Sequence, residues 1–310
     1  MSPSPPDSYP PLRPAQSRQL PIRGLSYHLQ QWGTPRVGQP LLLMLHGYMD
    51  VGASFQFVVD AMARAGDAER CIVAPDWRGF GLSTAPAATD AYWFADYLGD
   101  LDALIDALSP DVPVDLLGHS MGGNVVMSYA GVRPGRIRRL INLEGFGLPD
   151  LPASQAPARL TNWLDELKRP QSLKPYASLD EVALRLRKNN PRLAADKALW
   201  LAGHWSAQAA DGLWHLRADA AHKRINPVPY RAADAIATWQ LISAPLLWVQ
   251  GEDSRLDAHW GGRYSHAEFQ QRLAHVPDVR QQQLADAGHM LHHDQPEALA
   301  AVLEDFLQTS

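Results

Sequence analysis

Residues 41–45 read LLLML, apolar at every position. A strand with one wet face alternates polar and apolar side chains, so a run that is apolar throughout belongs to a strand covered on both faces. Further short strand-like runs stand at 72–74, 114–117, 137–143 and 245–249, and the strand pattern continues through 279–284. Between them, apolar residues recur at helical spacing: Phe55, Val58, Val59 and Met62 on one face, and Leu98, Leu101, Leu104, Ile105 and Leu108 on another. Strand and helix patterns that alternate in this way predict an α/β class chain with a mostly parallel sheet and helices on both faces.

The alternation breaks at residues 146–240, where prolines punctuate short helical stretches and strand-like runs are missing. A segment of that length with its own helices reads as a helical cap inserted before the last two strands. The core is expected over 19–145 and 241–310. Residues 1–18 are proline-rich, lack the apolar stretch of a secretory signal, and read as a flexible arm.

Composition narrows the function classes. Of 310 residues, 46% are hydrophobic and 20% charged, with a net charge of −5, so no basic footprint points to nucleic acid. No run approaches the ~20 apolar residues of a membrane-spanning helix, and the expected location is the cytoplasm. The single cysteine, Cys71, lies in the apolar run CIVAP and reads as a small buried hydrophobe. No histidine or cysteine spacing matches a metal-ligating motif, so neither a metal nor a cofactor is expected.

The chemistry is carried by Gly118-His119-Ser120-Met121-Gly122, a G-x-S-x-G sequence between a predicted strand and a predicted helix. That spacing lets the chain reverse sharply, because glycines on either side remove the β-carbons that would collide. The serine hydroxyl is lifted clear at the carboxyl end of the sheet, and the N–H of Met121 points to the same place at a helix N-terminus.

From about residue 20 onward the chain resembles the α/β-hydrolase superfamily, outside the insertion. Besides the serine turn, the resemblance rests on three segments. His46-Gly47 follows the first buried strand. Asp76-Trp77-Arg78-Gly79-Phe80-Gly81-Leu82-Ser83 matches the family's D-x-R-G-x-G-x-S loop. Ala287-Gly288-His289-Met290 precedes the last helix. The resemblance implies Ser120 as nucleophile and His289 as its general base. It implies the backbone N–H of Tyr48 as an oxyanion donor beside Met121, and a tying role for Asp76 and Arg78. Serine at position 120, where some relatives place aspartate, argues against epoxide hydrolase and haloalkane dehalogenase chemistry. Those reactions form an ester on a carboxylate.

The triad acid departs from the family's common pattern. Many relatives place an aspartate three residues beyond the glycine that ends the penultimate strand. Here Gly251-Glu252-Asp253-Ser254 puts Ser254 at that position. Two carboxylates remain: Glu144, at the end of the strand before the insertion, and Asp253, one residue early. Glu144 is favoured, because a one-residue offset on an extended segment turns a side chain the other way.

His119 reads as a packing residue, and His292 and His293 precede Asp294, the expected cap of the last helix. The insertion holds Trp163, Trp200, Trp205 and Trp214, with Trp239 at its exit and His204 and His215 among them. Most of these rings are expected to form a local core, and the remainder to wall a hydrophobic pocket. The expected function is hydrolysis of a small to medium hydrophobic carboxylic ester by a serine esterase. A thioesterase, a lactonase, a C–C bond hydrolase and a low-turnover binding member of the fold remain as alternatives.

Overall fold

Each strand of the central sheet sends alternate side chains to opposite faces, and both faces of its middle strands are buried. Leu43, Leu45, Leu116, Leu140, Leu246 and Trp248 pack on one side, while Leu42, Met44, Leu117, Ile141, Leu247 and Val249 pack on the other. A computed structural model describes residues 8–66, 69–85 and 89–308. Its strands are β1 (Gln16–Ile22), β2 (Leu25–Trp32), β3 (Leu42–Leu45), β4 (Ile72–Pro75), β5 (Val114–His119), β6 (Ile137–Leu143), β7 (Ser206–Gln208), β8 (Trp214–Leu216), β9 (Leu246–Gly251) and β10 (Val279–Leu284). Eight form one sheet in the order β1-β2-β4-β3-β5-β6-β9-β10. The six strands from β4 to β10 run parallel, and the β1–β2 hairpin joins them antiparallel at one edge.

Helices α1 (Gln56–Arg64), α2 (Phe94–Leu108) and α3 (Met121–Val132) follow β3, β4 and β5. The final helix, Pro296–Gln308, shares one apolar face with α1 through Val58, Val59, Met62, Leu299, Leu303 and Phe306, while α2 and α3 cover the opposite face. Each fully buried Leu or Phe contributes on the order of 1.5–3 kcal/mol. The chain leaves β3 toward β4 on one side and later returns to β5 on the other. The crevice at the carboxyl ends of β3 and β5 is therefore the topological switch point, where ligands bind in open α/β sheets. No described helix is long and apolar enough to cross a membrane.

Three expectations need correction. The arm expected over residues 1–18 is docked in its described part; residues 1–7 lie outside the described residues. Asp60 is a fully buried carboxylate on α1, and a buried charge must find donors. It receives them from Tyr9 Oη (2.7 Å), Leu12 N (3.1 Å) and Arg13 N (2.8 Å), after which the chain enters β1 at Gln16. Second, the insertion is not purely helical. Its helices Ala156–Leu167, Leu179–Asn189, Ala195–Trp205 and Ala232–Trp239 are interrupted by the β7–β8 hairpin, and the last of them lies against α3 in the core, where Trp239 is buried. Third, Asp294 does not cap the last helix. Pro296 sets the first helical position, and the Asp294 carboxylate instead accepts from Gly288 N (2.9 Å) and Asn190 Nδ2 (2.7 Å).

The D-x-R-G-x-G-x-S loop ties the edge of the site together as expected. Asp76 accepts from Gly52 N (2.7 Å), Leu82 N (2.8 Å) and His28 Nδ1 (2.8 Å). Arg78 forms a fork on the fully buried Asp100 (2.5 and 2.6 Å), which also accepts from Arg23 and Tyr27. Replacing Asp100 with alanine strands the Arg78 guanidinium and should cost about 3–5 kcal/mol in urea unfolding at neutral pH. A loss below about 1 kcal/mol would show that the network carries little of the stability.

Candidate active site

Strand β5 runs straight into the turn at Ser120, and α3 begins at the next residue. Ser120 takes φ 52° and ψ −113°, a left-handed conformation that a serine adopts only when its surroundings enforce it. The enforcement is visible at both flanking glycines. A β-carbon on Gly118 would fall 2.3 Å from the Gly122 carbonyl oxygen, and one on Gly122 would fall 2.3 Å from that of Leu45. The serine backbone is held on both sides, with Ser120 N donating to Leu143 O (2.8 Å) and Ser120 O accepting from Asn124 N (3.0 Å).

His289 arrives from the loop after β10 and places Nε2 3.0 Å from Ser120 Oγ. Its Nδ1 lies 3.2 Å from Glu144 Oε2. A carboxylate only accepts, so Nδ1 carries the proton and Nε2 presents its lone pair to the serine hydroxyl. Half of the His289 side chain is exposed, whereas Glu144 is buried. Glu144 also sits in the left-handed region, at φ 59°, as the chain leaves β6. Its Oε1 accepts from Gly251 N (2.7 Å) at the end of the neighbouring strand β9, and its Oε2 accepts from Ser254 Oγ.

Asp253 is not part of this group. Its side chain is 43% exposed and pairs with Arg192 of the insertion, so the offset does point it away from His289. Ser254 was not expected to matter beyond marking a missing aspartate, yet it hydrogen-bonds the carboxylate that reaches this place from β6. Only the identity of the residue at that position hinted at such a role.

The turn after β3 lies directly beside the nucleophile. A β-carbon on Gly47 would stand 3.2 Å from the Ser120 β-carbon. His46 pins this turn: Trp77 N donates to His46 Nε2 (2.8 Å), Trp77 Nε1 donates to His46 O (3.0 Å), and His46 Nδ1 donates to Gly47 O (2.8 Å). Burial pushes the His46 pKa down to about 4, which keeps the ring neutral and this tautomer fixed. Tyr48 anchors the turn to the insertion, its hydroxyl donating to His222 O (3.0 Å). His222 is itself stacked between Phe80 (3.8 Å) and Tyr92 (3.6 Å). Met121 opens α3, so its N–H is among the first-turn donors without an intrahelical partner.

Most tryptophans of the insertion are core, as expected. Trp200 packs on Phe57 and Tyr9, and Trp205 and Trp214 pack against the same cluster. Trp163 instead meets Trp93 edge-to-face at 6.0 Å. His204 is neutral, its pKa lowered to about 4 by burial, and His215 pairs with Asp211 at the surface. One group of described side chains has the donor set of a metal site: Asp50, His119 and His292.

The family model for the alpha/beta hydrolase fold matches residues 40–296. A 3-hydroxybutyrate-oligomer hydrolase from Cupriavidus necator is 29% identical over 280 residues, 86% of this chain and 87% of that protein. An epoxide hydrolase from Caballeronia sordidicola is 34% identical over 124 residues, 40% of this chain but 35% of that relative's length. Among solved structures, the thioesterase domain from the curacin biosynthetic pathway superposes with a TM-score of 0.82 at 27% identity, covering 94% of this chain and 99% of that domain. Sheet order, serine turn and family match agree, and the chain belongs to the α/β hydrolase fold family.

Proposed function

We propose that this protein hydrolyses small to medium hydrophobic carboxylic esters through an acyl-enzyme on Ser120. The observation that carries the proposal is the continuous line Ser120 Oγ, His289 Nε2 (3.0 Å), His289 Nδ1 and Glu144 Oε2 (3.2 Å). His289 takes the hydroxyl proton as Ser120 Oγ attacks the ester carbonyl. The oxyanion forms beside the N–H groups of Tyr48 and Met121, each such donor being worth roughly 10²–10³-fold in kcat. The intermediate collapses, the C–O bond to the alcohol breaks, and the alcohol leaves with the proton from His289. Water then repeats the sequence against the acyl-enzyme, activated by the same imidazole. Glu144 holds the ring in one tautomer and stabilises the imidazolium without itself taking the proton.

Two relatives support acyl transfer, one named for 3-hydroxybutyrate oligomers and one for thioester cleavage. The similarity to epoxide hydrolases covers a smaller part of the chain, and carboxylate attack on an epoxide would require a carboxylate where Ser120 stands. In this reading the insertion acts as a cap. Its segment around residues 217–222 bonds to the loop after β4 through Gly81 N to Arg217 O (2.7 Å) and Asp219 N to Gly79 O (2.8 Å). Trp163, which meets Trp93 and stands outside the insertion's core cluster, is the ring assigned to the pocket wall.

Ser120→Ala should lower kcat on short p-nitrophenyl esters by on the order of 10⁴-fold or more while the thermal melt stays unchanged. Retention of wild-type turnover in that variant, or epoxide opening faster than ester cleavage by the wild type, would overturn the proposal. Glu144→Gln should cost roughly 10²–10⁴-fold in kcat/KM, and Asp253→Asn no more than about tenfold. The reverse order would move the acid to Asp253. Trp163→Ala should shift acyl chain-length preference with little loss of stability, whereas Trp200→Ala should cost about 3–5 kcal/mol. Equal loss on every chain length in the Trp163 variant would remove it from the pocket wall.

A further inference from the structure

Directly behind the catalytic histidine lies a cluster of polar side chains that the hydrolytic mechanism does not use. Asp50 comes from the turn after β3, His119 from the end of β5, and His292 from the short helical turn Leu291–Asp294. All three are buried, at 3%, 1% and 0% exposure, and one ligand atom from each lies within 4.8 Å of the others. Among the described residues, Asp50 Oδ2, His119 Nδ1 and both ring nitrogens of His292 have no hydrogen-bond partner. Unsatisfied polar atoms at such depth are costly, and three that converge, one from each residue, demand an explanation.

We propose that Asp50, His119 and His292 form a binding site for one divalent transition-metal ion of the zinc class. The donor set is two imidazole nitrogens and one carboxylate oxygen, which suits zinc and its neighbours better than magnesium or calcium. The outer contacts are those of a prepared site. His119 Nε2 donates to the backbone carbonyl of His289 (2.8 Å), which leaves the Nδ1 lone pair facing the cluster. Asp50 Oδ1 accepts from Val51 N (2.8 Å) and from Ser54 Oγ, which leaves Oδ2 facing the same point. Trp205 Nε1, buried beside Asp50, likewise closes no hydrogen bond.

Zinc ligands at about 2.0–2.2 Å from the ion stand roughly 3.4 Å apart in a tetrahedral site. Asp50 Oδ2 and His292 Nε2 are 3.9 Å apart and all three ligand atoms lie within 4.8 Å of one another, so binding closes that pair by about 0.5 Å and the others by at most about 1.4 Å. His292 turns without losing a hydrogen bond, because it has none to lose. The ion would bind Asp50 with loss of any proton it carries, and water would supply the fourth ligand. The cluster is closed to solvent, so loading requires local opening and is slow.

The test is metal binding and does not depend on any catalysed reaction. Protein stripped with a chelator is incubated with ZnCl₂, passed through gel filtration, and assayed for zinc by elemental analysis. One zinc per chain should remain, with a rise in Tm of at least about 3 °C at saturation. His292→Leu and Asp50→Asn should each weaken binding by at least about tenfold while keeping a cooperative melt. His289→Ala, which removes the nearest exposed imidazole, should retain the ion. An X-ray absorption spectrum of the wild type should show two imidazoles among nitrogen and oxygen ligands, a readout that survives even if a variant fails to fold. Failure to retain zinc would mean that water fills the cluster, and the proposal falls. Retention unchanged in both cluster variants, or lost in His289→Ala, would place the ion elsewhere and overturn it as well.

Discussion

Glu144 is a carboxylate withdrawn from water at the end of a central strand, and the arrangement of the site depends on how it is satisfied. Stranding such a group would cost several kcal/mol. It is met by the N–H of Gly251, the hydroxyl of Ser254 and the Nδ1–H of His289, and these come from the ends of two other strands and the loops after them. The carboxylate therefore fixes the spacing of β6 and β9 at their carboxyl ends and the orientation of the imidazole at the same time. In the proposed triad the acid comes from the end of β6, and Ser254, at the position where the resemblance implies an aspartate, completes its hydrogen bonding.

A second layer of tethers holds the insertion over this arrangement. Arg192 pairs with Asp253, Asn190 with Asp294, and Tyr48 with the backbone of His222. Asp253 precedes Ser254 in the loop after β9, and Asp294 ends the helical turn that follows His289, so the insertion holds the segments beside two residues of this hydrogen-bonded group. The oxyanion turn is gripped from both sides, by Trp77 beneath His46 and by His222 beyond Tyr48.

The sheet was legible because its signal is local. An apolar run such as LLLML fixes a doubly covered strand, and the strand–serine–helix sequence fixes the sharp turn. Glu144 was legible because its place at a strand end and the serine at position 254 pointed to the same carboxylate. The docked arm was not legible, because the need it meets is the buried charge of Asp60 on a distant helix. The β7–β8 hairpin escaped because strands as short as SAQ and WHL carry no periodicity. Asp50, His119 and His292 escaped for a related reason: three segments far apart in sequence converge on one point, and no spacing in the chain records that meeting.

The most direct test of the central claim is where a covalent serine probe attaches. After reaction with a fluorophosphonate, peptide mass spectrometry should find one adduct per chain, on the peptide that contains Ser120, because its hydroxyl faces the His289 imidazole held by the buried Glu144 and stands at the N-terminus of α3. Ser17, which faces the His28–Asp76 pair, lies instead on the edge strand β1, with no helix N-terminus beside it among the described residues. A chain that cleaves esters yet carries the adduct on another residue, or carries none, would contradict the account.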